Sequence, residues 1–407
     1  MSMVTKIART NDKSRENEAG RRVDVVARLE DARADWLELF SLSPVSPYQA
    51  YDFVSKWFET VGREERLEPL TVVARDAAGR PLALLPLATT TRGRLRIALF
   101  QCGRESNFNL GLFRPCAGFD EKAARGLLME AARKAPAPPD LYYLRNQPRR
   151  FDGADNPLAF VTARPSASFA YGASLPSDET ALMARFSKDA RKKLRKKEAR
   201  LAEMGALRYE HGASGARAIE IARALIRQKS ERLAAIGVKS DFESEAMRAF
   251  LERACVATGD GALETHALAL DGRVVAAYMG LVHGGRFSAL LNSFDMDDDI
   301  ARSSPGDLLL HALLRDLVAR GFTHFDLGAG EARYKDSVCD ETIELCDVIL
   351  PVTLKGALAA PAFSAYLRAK RKIKQTPWMA RLVARVRALT RSQAAASPDA
   401  ASGASRR

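Results

Sequence analysis

Two stretches of the chain share one pattern of hydrophobic and polar positions. Residues 70–100 read as an apolar run, a Gly-Arg pair, a second apolar run, another Gly-Arg pair and a third apolar run, and residues 264–294 repeat this order. The pairs are Gly79-Arg80, Gly93-Arg94, Gly272-Arg273 and Gly285-Arg286. Glycine between β-rich runs is typical of a tight hairpin. The pattern predicts a three-stranded antiparallel meander in each stretch.

Each predicted meander is followed by a helical pattern and then by a further apolar run. Residues 120–135 and 304–321 have apolar residues at helical spacing, and residues 140–145 and 322–328 follow them as strands. This order, found twice, predicts an α/β (α+β) fold of two related domains with mixed, largely antiparallel sheets flanked by helices. Unrelated α+β segments can also be aligned in this way, so a duplication is a hypothesis at this point.

Composition divides the chain further. Residues 1–21 and 392–407 are polar and poor in large apolar side chains, which predicts disorder. Between them we place an N-terminal domain over 22–175, a C-terminal domain over 176–351 and basic helices over 352–391. No uncharged apolar run reaches the roughly 18 residues that span a bilayer, and no secretory signal pattern is present. These features predict a cytoplasmic protein.

The positive charge is concentrated in two segments. The net charge is +13, yet residues 188–200 hold eight Lys or Arg against two acids, and residues 366–391 hold nine without any acid. The combined charge of these two segments slightly exceeds the net charge of the whole chain, so the remaining residues are nearly neutral. A protein that binds nucleic acid through a generally positive surface carries its positive charge over much of the chain instead. Nucleic acid is therefore not the expected partner.

The first basic segment belongs to a helix predicted over residues 178–204, with Ser177 suited to cap it. Its apolar residues recur at helical spacing, at Leu182, Phe186, Ala190, Leu194 and Leu201. We expect this apolar face to dock between the two domains and the cations to form a positive ridge. Lys188, Arg191 and Arg195 are the candidate residues of that ridge for contact with a phosphate or with the acceptor.

The second basic segment places six apolar residues on one helical face: Trp378, Met379, Leu382, Val383, Val386 and Leu389. One interpretation is an interfacial helix at the inner face of an anionic membrane, where each nearby cation contributes about 1 kcal/mol. The other is an amphipathic helix packed on the preceding domain. The sequence leaves both open.

Several common chemistries find no support in the chain. The five cysteines and five histidines are dispersed, and there is no CxxC pair, HExxH motif, P-loop or Ser-His-Asp order. A disulfide framework, a zinc site and the hydrolase and NTPase classes are therefore not indicated. We expect no metal. His311 lies in an apolar helix and is interpreted as a core residue rather than a ligand.

A candidate anion site lies where the helix at 304–321 begins. Ser303, Ser304, Pro305 and Gly306 are small residues, so backbone N–H groups at this helix start can face one point, and the helix dipole adds partial positive charge. Such a site suits a pyrophosphate. The alternative is a helix start that only caps itself.

The segment around this helix resembles the GNAT acyltransferase superfamily, and within it the CelD-like acetyltransferase branch, related to the FemAB aminoacyltransferases. The matching features are the Ser-Pro-Gly helix start, Gly-Phe-Thr-His-Phe-Asp-Leu-Gly at 321–328 and Gly-Glu-Ala-Arg-Tyr-Lys at 330–335. The segment 46–62 and the basic helix also match, and the resemblance covers about residues 46–351. It implies a tandem GNAT fold whose second copy binds the acyl donor.

For that donor, the resemblance implies acetyl-CoA or another acyl-CoA as co-substrate. The pantetheine would lie beside Leu290 and Leu291, and the pyrophosphate would meet the backbone N–H groups of Ser304, Gly306, Asp307 and Leu308. The chain departs from the family's Gln/Arg-x-x-Gly-x-Gly/Ala loop, because the spacing of Arg302 and Gly306 differs and Asp307 is acidic. This departure bears directly on the affinity for acetyl-CoA.

For catalysis, the resemblance implies direct attack of an amine on a thioester, with no covalent enzyme intermediate. Tyr334 would protonate the leaving thiolate, and Lys335 would stabilise negative charge on the donor or on the reacting carbonyl oxygen. Asp295 and Asp326 are the candidate bases. The alternatives are a structural strand acid for Asp326 and a loop start for Asp295.

Three functional hypotheses follow. The first is an acyl-CoA-dependent N-acyltransferase acting on a small-molecule or sugar-linked amine in polysaccharide or cell-envelope metabolism; the phosphate near the ridge would then belong to CoA, a nucleotide sugar or a lipid. The second is a FemAB-type transferase that uses aminoacyl-tRNA. The scarcity of aromatic residues beside the basic helix disfavours RNA recognition. The third is a non-catalytic accessory protein that touches a membrane.

Overall fold

A computed structural model describes residues 21–160, 163–238, 240–256, 259, 261–331, 335, 338–376 and 378–379. The two segments predicted to be disordered lie outside these residues, apart from Arg21. The described helices are α1 (Arg33–Leu42), α2 (Tyr51–Trp57), α3 (Glu121–Lys134), α4 (Glu179–Ala184), α5 (Lys188–Ala202), α6 (Gly215–Ala235), α7 (Glu245–Ala254), α8 (Asp298–Ala301), α9 (Pro305–Ala319) and α10 (Leu354–Gln375).

The described strands are β1 (Arg22–Val26), β2 (Glu68–Arg75), β3 (Pro81–Arg92), β4 (Leu95–Phe100), β5 (Leu112–Phe113), β6 (Leu141–Pro148), β7 (Arg150–Phe151), β8 (Ala154–Asp155), β9 (Arg164–Pro165), β10 (Ala170–Ser174), β11 (Leu207–Glu210), β12 (Leu263–Leu270), β13 (Arg273–His283), β14 (Arg286–Phe294), β15 (His324–Ala329), β16 (Glu341–Ile343) and β17 (Leu345–Pro351). Two large sheets contain most of them. The first has the order β1-β2-β3-β4-β6-β17-β9, with β5 on β3, and the second has the order β11-β12-β13-β14-β15-β10-β16.

The two sheets repeat one connection. In each, an antiparallel meander leads through a helix to a strand that pairs parallel with the last meander strand: β4 with β6 after α3, and β14 with β15 after α9. The predicted hairpins are present, and the four turn glycines all have positive φ. The predicted fold class is therefore confirmed, with two antiparallel-rich mixed sheets, one after the other along most of the chain, and flanking helices.

The sheets exchange strands. β17, late in the chain, pairs antiparallel with β6 in the first sheet, and β10, from the first half of the chain, pairs antiparallel with β15 in the second. A boundary between residues 175 and 176 thus leaves each half short of one strand of its sheet. The division of the chain into domains stays a prediction, and the sheets share strands across it.

Four helices fill the space between the sheets. Trp36 of α1, Phe53 of α2, Leu225 of α6 and Phe250 of α7 are at most 2% exposed, and the rings of Phe53 and Phe250 lie 5.1 Å apart. Burial of a side chain of this size contributes about 1.5–3 kcal/mol. The helix α3 covers the outer face of the first sheet, while α4, α5 and α9 cover the outer face of the second.

The basic segment differs from its prediction in two ways. It is divided into α4 and α5, because Asp178 caps the first helix and Ser187 caps the second, each accepting a hydrogen bond from a backbone N–H three residues later (2.8 and 3.1 Å). In addition, Leu182 and Leu201 are buried against the second sheet and α9. The apolar face docks on one sheet rather than between the two.

The C-terminal helix α10 packs on the first sheet, where the rings of Phe363 and Tyr143 meet at 4.9 Å. Of the apolar face predicted for the second basic segment, Trp378 and Met379 are described, while Leu382, Val383, Val386 and Leu389 lie outside the described residues. Within the described part of the chain, no helix combines the length and apolar character that crossing a bilayer requires.

Candidate active site

The two parallel strands of the second sheet separate soon after they meet. β14 and β15 pair at Arg286–His324, Phe287–Phe325 and Ser288–Asp326, and beyond these positions the strands diverge. The register between β13 and β14 shifts at the same level, so that Leu290 is an extra residue on β14. Such a bulge bends the strand and re-aims its backbone groups. We call the space between the diverging ends of β14 and β15 the notch.

A cavity of about 280 Å³ occupies the notch. Its lining includes Leu290 and Leu291 of β14, Lys229 of α6, Glu331 and Lys335 after β15, and Asn107 from the first half of the chain. Three residues singled out from the sequence, Leu290, Leu291 and Lys335, therefore come together here. Tyr334, the predicted proton donor, lies outside the described residues.

Asn107 bridges the two sides of the notch. Its Nδ2 donates to the Tyr48 hydroxyl (2.7 Å) and to the carbonyl oxygen of Ala289 on β14 (3.2 Å), and its Oδ1 accepts from the backbone N–H of Ala329 on β15 (3.0 Å). The Tyr48 hydroxyl also donates to the Ala289 carbonyl (2.8 Å). The loop before β5 thus satisfies backbone groups that strand pairing leaves open, and it fixes the width of the notch.

Gly328 makes this contact close. Its φ is +67°, and a Cβ atom built there would lie 2.1 Å from Nδ2 of Asn107. We expect Gly328→Ala to destabilise the fold by about 1–3 kcal/mol, measured by urea unfolding, and to displace Asn107. Gly321→Ala is the matched control, since Gly321 has a φ of +78° and nothing within 4 Å of the added Cβ. Equal losses in the two variants would contradict the close packing of Asn107.

Lys335 closes the end of β15. Its side chain is buried, and its Nζ donates to the carbonyl oxygens of Leu327 (2.9 Å) and Gly328 (3.0 Å). The ammonium also lies 5.3 Å from the centre of the Tyr171 ring on the exchanged strand β10. Burial lowers the pKa of Lys335 to about 8, against the opposing charges of Cys339 and Glu331. An ammonium has three donors, and these two hydrogen bonds use two of them.

Lys229 faces the notch from α6 and was not predicted. Its Nζ donates to the carbonyl oxygen of Asn292 on β14 (3.3 Å), and burial, together with the charge of Arg232, lowers its pKa to about 8. The sequence holds a weak signal for it. The stripe of buried apolar residues along α6, which includes Ile221 and Leu225, continues at helical spacing as Gln228, Lys229 and Arg232.

The two predicted bases do not line the notch. Asp326 is buried on β15 and accepts from Nη1 of Arg286 (2.9 Å) and from the Ser288 hydroxyl (2.8 Å). Burial raises its pKa, and these two partners act against that rise. Asp326 faces away from the cavity, because neighbouring strand residues face opposite sides and Leu327 takes the side of the cavity. Asp295 accepts from Arg273 (2.5 Å) beyond the end of β14.

The start of α9 has fewer free backbone N–H groups for an anion than the sequence suggests. The amide of Ser304 donates to the Ala301 carbonyl (2.9 Å), and those of Asp307 and Leu308 donate to the Ser304 carbonyl (3.0 and 3.2 Å). Three of the four predicted donors are thus engaged, and Pro305 has no N–H. The Asp307 carboxylate also pairs with Lys197 (3.1 Å). The residues present fit a pyrophosphate only in part, chiefly through Gly306, and this contact stays a prediction.

The predicted positive ridge lies elsewhere on the molecule. Arg191 and Arg195 line a separate cavity of about 370 Å³ between α5 and α9, next to His311. The His311 ring contacts Phe186 (4.4 Å), and burial lowers its pKa. Lys188 begins α5 on the same outer side of the second sheet. None of these residues lines the notch, and their proposed phosphate contact stays a prediction.

A family model matches the part of the chain that contains β14 and β15. Residues 188–336 match the family model described as "Acetyltransferase (GNAT) domain", a match that leaves the narrower CelD-like branch open. No curated protein matches the chain.

Three solved structures are similar to this chain at low sequence identity. FemX has a TM-score of 0.53 at 10% identity, covering 83% of this chain and 99% of its own. L-PGS from Bacillus licheniformis has a TM-score of 0.48 at 13% identity, covering 82% and 95%. A tandem GNAT protein from the clavulanic acid biosynthesis pathway has a TM-score of 0.43 at 10% identity, covering 82% and 99%. The strands β14 and β15, which bound the notch, lie within residues 188–336, the segment that matches the GNAT acetyltransferase model.

Proposed function

We propose that the protein transfers an acyl group from acyl-CoA to an amine acceptor, and that the reaction takes place in the notch. One observation carries this proposal: β14 and β15 separate after three paired positions, at a bulge on Leu290, and leave a cavity between their free edges. An extended acyl chain or pantetheine arm can lie along the apolar wall that Leu290 and Leu291 of β14 give this cavity, between the separated strand ends.

The residues around the cavity supply the groups that acyl transfer needs. The amine nitrogen bonds to the thioester carbonyl carbon, the carbon–sulfur bond breaks, the amine loses a proton and the thiolate gains one. Lys229, with a pKa of about 8, is partly neutral near neutral pH and takes the proton from the amine. Lys335 places a positive charge where the carbonyl oxygen becomes negative. By the family resemblance, Tyr334 returns a proton to sulfur.

The finer features of the proposal come from the resemblance. They are an acetyl group as the acyl group, a sugar-linked amine as the acceptor, a role in polysaccharide or cell-envelope metabolism, and membership of the CelD-like branch. A cytoplasmic location, with contact to the inner face of a membrane through the C-terminal segment, belongs to the same proposal.

Donor binding tests the proposal directly. Calorimetric titration with acetyl-CoA and longer acyl-CoA should show binding that Leu290→Trp weakens at least about tenfold, because the larger side chain enters the cavity. Arg227→Met, on the exposed side of α6, should bind normally. Binding of aminoacyl-tRNA in place of acyl-CoA would favour the FemAB-type reaction. Binding of neither donor would leave only the non-catalytic role.

A further inference from the structure

The cavity of about 370 Å³ between α5 and α9 lies on the outer side of the second sheet, and we call it the outer cavity. No described residue lines both the outer cavity and the notch. Its volume lies at the lower end of the range of about 300–1,000 Å³ that is usual for small-molecule sites. The outer cavity is therefore a second candidate site, separate from the notch and of a size for a small ligand.

Part of the lining of the outer cavity is apolar. Four leucines from four elements contribute to it: Leu194 of α5, Leu207 of β11, Leu268 of β12 and Leu308 of α9. Leu268 and Leu308 are 5% and 6% exposed and belong to the hydrophobic core on this side of the sheet. Tyr209 also lines the cavity, and its hydroxyl already shares a hydrogen bond with Nδ1 of His266 (3.0 Å). An alkyl chain that lies on these residues leaves water, which is favourable.

Two arginines of α5 add positive charge to the same lining. Arg191 and Arg195 are four residues apart on the helix, which places their Cβ atoms about 5–6 Å from each other. The nearby ion pairs are made by Arg185 and Lys197, and among the described residues neither Arg191 nor Arg195 takes part in one.

Arg191 has a buried donor without an acceptor. Its Nε is shielded from solvent and has no hydrogen-bond partner among the described residues. Buried polar atoms of native proteins nearly always have a partner, because leaving one unpaired is costly. We interpret this nitrogen as a donor for a ligand in the outer cavity.

The charges of the lining favour a ligand with a single negative charge. Arg315 of α9 pairs with Glu179 of α4 (2.6 Å), and Glu198 lies one turn after Arg195 on α5. Burial lowers the pKa of His311, which also lines the cavity, so its ring is neutral at neutral pH. Three arginines and two glutamates thus give the lining a net charge of +1. One carboxylate balances this charge, whereas a pyrophosphate exceeds it.

We propose that the outer cavity binds an apolar monocarboxylate, of the class of a medium-chain fatty acid. Its carboxylate lies between the guanidinium groups of Arg191 and Arg195, and its alkyl chain extends over the leucines. A guanidinium presents its N–H groups in a planar fork that matches the two oxygens of a carboxylate. The ligand differs from the phosphate predicted for these arginines in its charge and in its apolar chain. The site is independent of the proposed acyl transfer.

Calorimetric titration of the full chain with octanoate tests the proposal. Arg191→Gln/Arg195→Gln should bind octanoate at least about tenfold more weakly than the unaltered chain, because both charges are lost. Lys192→Gln/Lys196→Gln is the matched control, since these exposed lysines have the same spacing on the same helix and do not line the cavity. This control should bind octanoate normally, and thermal unfolding verifies that both variants fold. Equal affinity of the two variants, or no binding of octanoate to the unaltered chain, overturns the proposal.

Two further probes test the chemistry of the ligand. Acetate has the carboxylate without the chain and should bind at least about tenfold more weakly than octanoate, because it buries little apolar surface. Octyl phosphate has the same chain with a larger negative charge and should bind no more tightly than octanoate. Acetate of equal affinity would contradict the apolar part of the site. Tighter binding of octyl phosphate would show a phosphate site and overturn the monocarboxylate.

Two substitutions test the location of the ligand. Ala312→Phe adds a large side chain to the outer cavity and should weaken octanoate binding at least about tenfold. Leu290→Trp adds one to the notch and should leave octanoate binding unchanged. The opposite result would place octanoate in the notch and overturn the proposal. If octanoate binds as expected but no acyl-CoA binds, the proposed function fails and the outer site stands.

Discussion

Replacing Lys229 by methionine is expected to lower the rate of acyl transfer by about 10²–10⁴-fold, the range that a positioned acid–base group contributes. Methionine keeps the length and apolar stem of lysine but cannot accept a proton. The Lys229 Nζ lies 3.3 Å from a carbonyl oxygen of β14, on the wall of the cavity, so removing it leaves no nearby amine of comparable pKa on α6. The measurement is kcat for acyl transfer at saturating donor.

The pH dependence separates this role from a purely structural one. A lysine acts as a base only when neutral, and burial lowers the pKa of Lys229 to about 8. The rate should therefore rise as the pH increases towards about 8 and fall at higher pH, because Lys335, whose pKa is also about 8, loses there the positive charge assigned to it, and Lys229→Met should lose the rise. Arg227→Met, exposed on the same helix, is the control. A Lys229→Met enzyme with the rate and pH profile of the unaltered protein would falsify the assignment.

Replacing Asp326 by alanine is expected to destabilise the fold by about 3–5 kcal/mol, because it leaves a buried charge without its partner. Arg286 is 8% exposed, and it would keep only Asp152 (2.6 Å) as an ion-pair partner. The Ser288 hydroxyl would lose its acceptor as well. Urea unfolding of the full chain measures this loss.

Asp295→Ala is the matched control for Asp326→Ala, because both acids were candidate bases. Asp295 pairs with an Arg273 side chain that is 58% exposed, and such a surface pair contributes about 1 kcal/mol or less. We expect the two variants to differ mainly in stability. If Asp326→Ala instead remained stable and lost acyl transfer, Asp326 would be the base and Lys229 would not.

The sequence predicts the fold well because its signals are local. Alternating apolar runs around glycine pairs define both meanders, and apolar residues at helical spacing define α3 and α9. The basic segment shows the limit of such patterns. Its periodicity is helical from end to end, yet Asp178 and Ser187 each start a helix. The spacing of apolar residues alone does not show that a second cap, at Ser187, divides the segment into two helices.

The site is only partly predictable for a physical reason. Leu290, Leu291 and Lys335 belong to one continuous motif region, and they do line the cavity. Asn107 donates a hydrogen bond to a carbonyl oxygen 182 residues later in the chain, and no periodic pattern in the sequence predicts such a contact. The anion site predicted at the start of α9 requires backbone N–H groups that have no hydrogen-bond partner within the protein. Whether they have one depends on the backbone turn at Ser304, whose φ of 47° cannot be predicted from the sequence.

The pairing of β6 with β17 has a consequence for how the chain is made. The first sheet pairs β6 with β17, Leu345–Pro351, so the first half of the protein leaves the ribosome with an open strand edge. Almost two hundred further residues must be synthesised before β17 can pair with that edge. The second sheet, in contrast, already has β10 available when β15 emerges. The half that is translated last is thus the first that can be completed.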